Sequence, residues 1–341
     1  MKAMVLNRIC KLNENFTPLE LMELPVPSPA ANEILLKISA CGVCHTELDE
    51  IEGRTSPPKF PVILGHQVVG RIEAMGSKVT AFKIADRVGI AWIFSACGTC
   101  KFCLSDHENL CSSFEATGRD ANGGYAQYMS VDAKFAYAIP DFFSDEAAAP
   151  LLCAGAIGYR SLRLTGLKDG QRLGLTGFGA SGHLILKMVK YKYPHTEVSV
   201  FARTAAERDF ALELGAVWVG DTKDQAPNKL DCIIDTTPAW EPIVEALANL
   251  DSGGRLVINA IRKEGDQQSL LKLDYSRHLW QEKEIKSVAN ITRRDVTEFL
   301  ALAAEIGLQP EVQLFTLEQA NEALLELKTG KIRGAKVLKI D

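Results

Sequence analysis

Residues 172–192 read RLGLTGFGASGHLILKMVKYK, and this stretch decides the fold. An alternating apolar run, RLGLT, leads into Gly177-Phe178-Gly179-Ala180-Ser181-Gly182, and a run of helical period, HLILKMVKYK, follows. Strand, G-x-G-x-x-G and helix in that order are the signature of a dinucleotide site. Gly177 permits the tight turn, Gly179 lets backbone approach a pyrophosphate, and Gly182 allows helix and strand to pack closely. A second strand-like run, VSVFA, ends about 20 residues after the glycines, where an acidic residue would accept hydrogen bonds from the adenosine ribose. The sequence there is Phe201-Ala202-Arg203-Thr204, with no carboxylate. Arg203, with Arg208 one helical turn further on, suits a ribose 2′-phosphate, so Ala202, Arg203 and Arg208 point to NADP(H) over NAD(H).

Outward from the glycines, the apolar period keeps switching between 2 and 3.6: AAERDFALELG, CIIDTT, EPIVEALANL and, after a Gly253-Gly254 turn, RLVINA. This is the pattern of a parallel sheet wound on both faces. Thr204 with Glu207 forms a capping box that starts the second helix. Upstream, residues 1 to 140 carry short alternations such as EILLKISACGV and VVGRIEAMG, punctuated by Gly and Pro, and read as all-β. Between them Ser144 caps the run EAAAPLLCAGAIGYRSLRL, which reads as one helix crossing from the first domain to the second. The C-terminal tail has two helices and two strands, EVQLF and AKVLKI, and the strands have the character to complete the first domain's sheet. The overall class is α/β.

Length and composition agree with two packed domains: 341 residues, 47% hydrophobic and 24% charged. No stretch approaches the roughly 18 to 20 apolar residues of a bilayer span, and the opening MKAMVLNRICKLNENF lacks the plan of a secretion signal, so a cytoplasmic location away from membranes is expected. A net charge of −5, with acids and bases intermixed, offers no basic stripe for nucleic acid.

Nine cysteines in such a chain point to metal rather than disulfides. Cys97, Cys100, Cys103 and Cys111 come from one short polar segment within the irregular lobe 94–122. Four thiolates close a tetrahedron around zinc and leave no open position, which makes such a zinc structural. The spacing does not suit a ferredoxin-type cluster, which wants its last cysteine sooner and a proline after it. Cys44, His66 and Cys153 are scattered; each alone is ambiguous with a satisfied core residue. Together they form the Cys2His set that leaves zinc a fourth position for water or substrate. Cys10, Cys41 and Cys232 read as small hydrophobes of the core.

With these motifs in this order, the chain resembles the zinc-containing medium-chain alcohol dehydrogenases from Met1 to its last strand: G-V-C-H-T, G-H, a four-cysteine lobe, LLCAG, then G-x-G-x-x-G. The resemblance implies a GroES-like catalytic domain over 1–154, a Rossmann domain over 155–286 and a return to the catalytic domain over 287–341. It also implies two zinc ions per subunit, a catalytic one on Cys44, His66 and Cys153 and a structural one on the four-cysteine lobe. Thr46 then relays the alcohol proton, His45 lies near the cofactor pyrophosphate, and Trp92 walls the substrate pocket. Three positions depart from the family's habit. Gln67 stands for a glutamate behind the zinc, Asp49 for the histidine that passes the proton to solvent, and Ile157 for a threonine beside the nicotinamide. The implied activity is reversible hydride transfer between an alcohol or aldehyde and the nicotinamide, in a homodimer or homotetramer. The alternatives are a zinc-free quinone or enoyl reductase on the same fold and a non-catalytic NAD(P)-sensing zinc protein.

Overall fold

The computed structural model describes residues 1–330 and 334–341. The chain forms two compact units, Met1–Cys153 with Thr292–Asp341, and Ala154–Ile291.

The first unit is built on a seven-stranded sheet. Its path runs Ala136–Ala138, Arg87–Ile90, Val68–Met75, Glu33–Val43, Ala335–Lys339 and Val312–Thr316, with Tyr128–Asp132 also paired to Glu33–Val43. A smaller sheet of Leu19–Glu23, Lys2–Leu6 and Val62–Ile63 shares the apolar core, in which Leu6, Ile34, Leu36, Ile63, Val68 and Leu338 are buried. Both tail strands therefore lie in the first unit's sheet. Ala335–Lys339 runs antiparallel to Glu33–Val43 with Lys336 opposite Val43, so the C-terminal strand pins the strand end that delivers Cys44.

A helix follows at His45–Ile51, where the sequence suggested only strand. Seven residues are too few for a 3.6-residue period to stand out, and what starts the helix is a cap: the Cys44 side chain accepts from the Thr46 amide while the Glu47 carboxylate accepts from the Cys44 amide. The expected crossing helix is likewise broken. Ser144 caps Asp145–Ala148, the chain tightens to a 3-10 turn over Ala149–Leu152, and helix resumes at Ala154–Thr165. Pro150 lacks an amide hydrogen to continue the ladder, and Cys153 sits at the break with φ −125° and ψ −79°.

The second unit is a six-stranded parallel sheet in the order Trp218–Gly220, Glu197–Phe201, Arg172–Thr176, Leu230–Asp235, Leu250–Ile258, Glu284–Ser287. The order reverses between Arg172–Thr176 and Leu230–Asp235, the switch point at which doubly wound sheets take their ligands. Two local differences from the sequence reading stand out. Gly253 and Gly254 lie inside strand Leu250–Ile258 rather than in a turn before it, and the edge strand Trp218–Gly220 is too short to show alternation.

Candidate functional site

Two groups of metal-ligating side chains occur among the described residues: Cys97, Cys100, Cys103 and Cys111, and Cys44, His66 and Cys153. Within each group the ligand atoms all lie within 4.8 Å of one another. A tetrahedral zinc with Zn–S bonds of about 2.3 Å sets its sulfurs about 3.8 Å apart. In the lobe, Cys97 and Cys100 stand 3.9 and 3.6 Å from Cys103. The donor set and its spacing fit the ion.

Backbone amides prepare that lobe for anions. Thr99 and Cys100 donate to the Cys97 sulfur at 3.5 and 3.3 Å, and Ser113 donates to Cys111 at 3.4 Å. Those amides, Thr99 first, pull the Cys97 thiol down to about 6, whereas burial pushes Cys103 up to about 12. The lobe is tied down by Glu108, which accepts from the Arg293 amide and side chain at 2.8 and 2.9 Å at the start of helix Arg293–Ile306.

The second group is assembled from three elements of the first unit. Cys44 comes from the junction of strand and helix, His66 from the loop after Val62–Ile63, and Cys153 from the break before Ala154. Gly65 must be glycine for His66 to arrive: its φ is +97°, and a Cβ there would stand 2.5 Å from the Tyr125 ring. His66 is 1% exposed, and its Nδ1 donates to Glu47 Oε1 at 2.6 Å. This leaves Nε2 as the lone-pair nitrogen, and it faces the Cys44 sulfur at 3.7 Å. The other Glu47 oxygen accepts from the Cys44 amide at 2.8 Å, so one carboxylate orients two of the three ligands. Burial pulls the His66 imidazole down, but Glu47 and Cys44 outweigh it and hold its pKa well above the usual value. The Cys44 thiol is also held high, by its contact with Cys153, by burial and by Glu47. A divalent cation is the partner such a set calls for, because it favours both thiolates and the neutral imidazole.

Around this set, Trp92 is buried with its ring edge-on to His66 at 5.1 Å, and the Arg119 guanidinium lies over Trp92 at 5.8 Å while paired to Asp120 at 2.7 Å. Thr46 occupies the first turn of the ligand-bearing helix and His45 begins it, exposed. Asp49 is buried and bound by Arg54 at 2.8 Å. Gln67 is buried under Gly42, where a Cβ would meet its side chain at 2.8 Å. Of the nearby cysteines, Cys41 and Cys232 are buried and Cys10 is half-buried.

In the second unit the glycines form the strand-to-helix turn. Gly177 has φ +80°, and a Cβ would sit 2.7 Å from the Thr236 hydroxyl; at Gly182 it would sit 2.8 Å from the Gly177 carbonyl. At Gly179 it would meet nothing within 4 Å, and Gly179 caps helix Ala180–Lys192 with no side chain on the first-turn amides. This open, uncapped helix end fits a pyrophosphate. At the end of strand Glu197–Phe201, Arg208 donates to the Ala202 and Arg203 carbonyls at 2.7 and 3.1 Å and so fixes the turn. Arg203 is exposed, with no side-chain partner among the described residues. Ile157 is half-buried on helix Ala154–Thr165.

Sequence reasoning passed over Glu47. The signal was present: a glutamate three residues after Cys44 is the second half of a capping box, with Cys44 in the place of the usual serine or threonine.

A dinucleotide-binding sheet and a Cys2His metal group define a metal-dependent dehydrogenase, and known proteins bear this out. Residues 30–141 match the alcohol dehydrogenase GroES-like domain. The chain is 43% identical over 328 residues, 95% of its length and 93% of the relative's, to a probable alcohol dehydrogenase, AdhA, of Mycobacterium tuberculosis. It is 34% identical to an alcohol dehydrogenase of Geobacillus stearothermophilus with both chains covered completely. Among solved structures, a cinnamyl alcohol dehydrogenase of Sorghum bicolor superposes with a TM-score of 0.84 at 27% identity, covering 99% of this chain and 97% of that one. The chain belongs to the zinc-containing medium-chain alcohol dehydrogenase family, whose members are NAD(P)-dependent enzymes.

Proposed function

We propose that the protein is a zinc-dependent alcohol dehydrogenase that works chiefly as an NADPH-dependent aldehyde reductase. The observation that supports it most is the gathering of the Cys44, His66 and Cys153 ligand atoms within 4.8 Å of one another, three donors where zinc takes four, so that the fourth falls to water or a substrate oxygen. Zinc held there supplies a Lewis acid for that oxygen, and the nicotinamide supplies or accepts hydride. A zinc-free reductase would have no use for this ligand set or for the Glu47 bond that orients it.

In this reading Cys44, His66 and Cys153 hold the catalytic ion and the four-cysteine lobe holds a structural one. Glu47 keeps His66 in the tautomer whose Nε2 is free to ligate. Thr46, on the first turn after Cys44, gives a proton to the substrate oxygen during reduction and takes it back during oxidation. Asp49, three residues on, takes the next place in that relay in this reading; it is buried and its carboxylate is held by Arg54. Trp92 supplies an apolar wall beside His66, which suits a substrate with hydrocarbon next to the carbonyl.

The coenzyme preference rests on Arg203. Its guanidinium carries no competing bond among the described residues, Arg208 holds the backbone beside it, and the sequence Phe201-Ala202-Arg203-Thr204 has no carboxylate at the strand end to repel a 2′-phosphate. A homodimer or homotetramer is part of the proposal, supported by the free edge of strand Glu284–Ser287 and the exposed Tyr275 and Trp280. The test is a panel of aldehydes and alcohols run with NADPH and NADH in parallel. Higher kcat/KM with NADPH is expected; equal or better turnover with NADH would overturn the Arg203 argument, and no turnover with either would overturn the activity.

A further inference from the structure

In the second unit, two connecting segments are laced together at the end of the sheet, beside the point where the strand order reverses. Residues 236–240 follow strand Leu230–Asp235, and residues 259–266, neither helix nor strand, follow strand Leu250–Ile258. Lys263 joins them. Its side chain is only 6% exposed, and the ammonium donates to Asp235 Oδ2, to the Thr237 carbonyl at 2.7 Å and to the Ala239 carbonyl at 3.1 Å. Three N–H groups thus meet three acceptors. The other Asp235 oxygen accepts from the Thr176 and Thr237 hydroxyls at 2.6 and 2.7 Å. More bonds tie the same two segments: the Glu264 amide donates to the Pro238 carbonyl at 2.7 Å, and the Asp266 carboxylate accepts from the Trp240 and Glu241 amides at 2.8 and 2.7 Å. The clamp reaches the glycine turn as well. Thr236 donates to the Thr176 carbonyl through its amide and its hydroxyl at 2.9 and 3.0 Å, and that hydroxyl would stand 2.7 Å from a Cβ at Gly177.

Stability alone does not account for this arrangement. Asp235 is fully buried, burial pushes its carboxyl up, and Lys263 leads the groups that hold it down. Taking both charges out of water costs about as much as their attraction returns, so an uncharged pair of the same shape would hold the fold as well. What a three-pronged ammonium adds is direction: it sets two irregular segments at one spacing beside the crevice that a doubly wound sheet offers its ligand. That crevice has two halves. The strands before and after the glycine turn, Arg172–Thr176 and Glu197–Phe201, take the adenosine half of a dinucleotide, so the segments after Leu230–Asp235 and Leu250–Ile258 lie on the half that takes nicotinamide.

We propose that Lys263 is a positioning residue for the nicotinamide half of the coenzyme: with Asp235 it fixes segments 236–240 and 259–266 in the arrangement that admits that half. The inference rests on the dinucleotide reading of this sheet, and is independent of the metal groups and of the choice between NADPH and NADH.

The experiment uses the full-length protein, its Lys263→Met variant and a double variant, Lys263→Met with Asp235→Asn, which removes both charges together. Binding of NADPH and NADH is followed by the fluorescence of the reduced nicotinamide, binding of the adenosine fragments ADP and adenosine 2′,5′-bisphosphate by calorimetry, and stability by Tm. Lys263→Met should weaken the binding of each reduced coenzyme that the wild type takes by about tenfold or more, the result of segments that reach the binding arrangement about a tenth of the time. The fragments should keep their affinity within about twofold, because the adenosine half is untouched. The double variant should melt within about 3 °C of wild type and still bind coenzyme as weakly as Lys263→Met does. Recovery of coenzyme binding together with Tm would mark the pair as structural and overturn the proposal. So would equal weakening of coenzymes and fragments, unchanged coenzyme binding in Lys263→Met, or failure of both variants to fold. A wild type that binds neither coenzyme would overturn the dinucleotide reading itself, and this inference with it.

Discussion

The four-cysteine lobe and the Cys44–His66–Cys153 group offer a metal ion similar donors but are built in opposite ways. The lobe takes all its ligands from residues 97–111, keeps Cys97 exposed, and steadies its sulfurs with amides of the same loop. The other group draws on residues 44, 66 and 153, buries its histidine, and orients its ligands through one carboxylate, Glu47. A site closed by its own loop serves to hold a shape. A site that needs three elements in register, and leaves one side of the ion to a ligand, can hold a reacting oxygen against a rigid frame. In the proposed function this difference of construction is a difference of purpose, and each consequence of it can be measured.

The largest effect should come from the dispersed group. Cys153→Ser is expected to lower kcat for alcohol oxidation and aldehyde reduction by at least about a thousand-fold, while the lobe keeps its metal. Steady-state rates measured beside elemental analysis check this, and retained turnover would refute the assignment. Cys97→Ser should do the reverse: it should destabilise the protein by about 3 kcal/mol in denaturant unfolding, while kcat of the material that remains folded changes less than about threefold. A collapse of kcat there would blur the division of labour.

Next comes the acid sensitivity of the ligand-bearing helix. Burial pushes the Glu52 carboxyl up, but hydrogen bonds from Lys328, Arg54 and the Leu12 amide outweigh it and hold it at about 2. Because the folded-state value lies below the ordinary 4.5, the pairing stabilises the fold fully above that pH and is lost as pH falls toward 2. Glu52→Gln should remove about 2 kcal/mol at pH 7 and flatten the stability profile over that window. Urea midpoints at a series of pH values would reveal it, and a variant that kept the wild-type slope would contradict the pairing. The smallest effect concerns the second unit: Arg203→Ala should cut kcat/KM about tenfold with NADPH and leave the NADH value nearly unchanged. Equal losses with both would mean that Arg203 does not read the 2′-phosphate.

Local features of this molecule were legible in the chain, and those that depend on packing were not. The four cysteines of the lobe lie so close together that their spacing alone suggests an ion, and the glycines declare themselves through the strand before and the helix after. Cys44, His66 and Cys153 are ambiguous singly, and only the order of motifs joined them. The helix His45–Ile51 escaped because its start depends on a cysteine acting as cap rather than on apolar period. The break at Cys153 escaped because an alanine-rich run around Pro150 still looks helical when the backbone dihedral angles are unknown. The hold of Arg54 on Asp49 crosses five residues at a helix end, a spacing that no helical periodicity marks. Glu50 reads as one more polar position on a short charged segment; its burial follows from how the helix packs.

The claim on which the function depends is that the dispersed group holds an ion of its own. Elemental analysis of folded, full-length protein tests this directly, comparing wild type with Cys44→Ser after identical exposure to zinc and removal of loose metal. About two zinc ions per subunit in the wild type and about one in the variant are expected, one for each ligand group. The same zinc content in both proteins, whatever its value, would contradict the account.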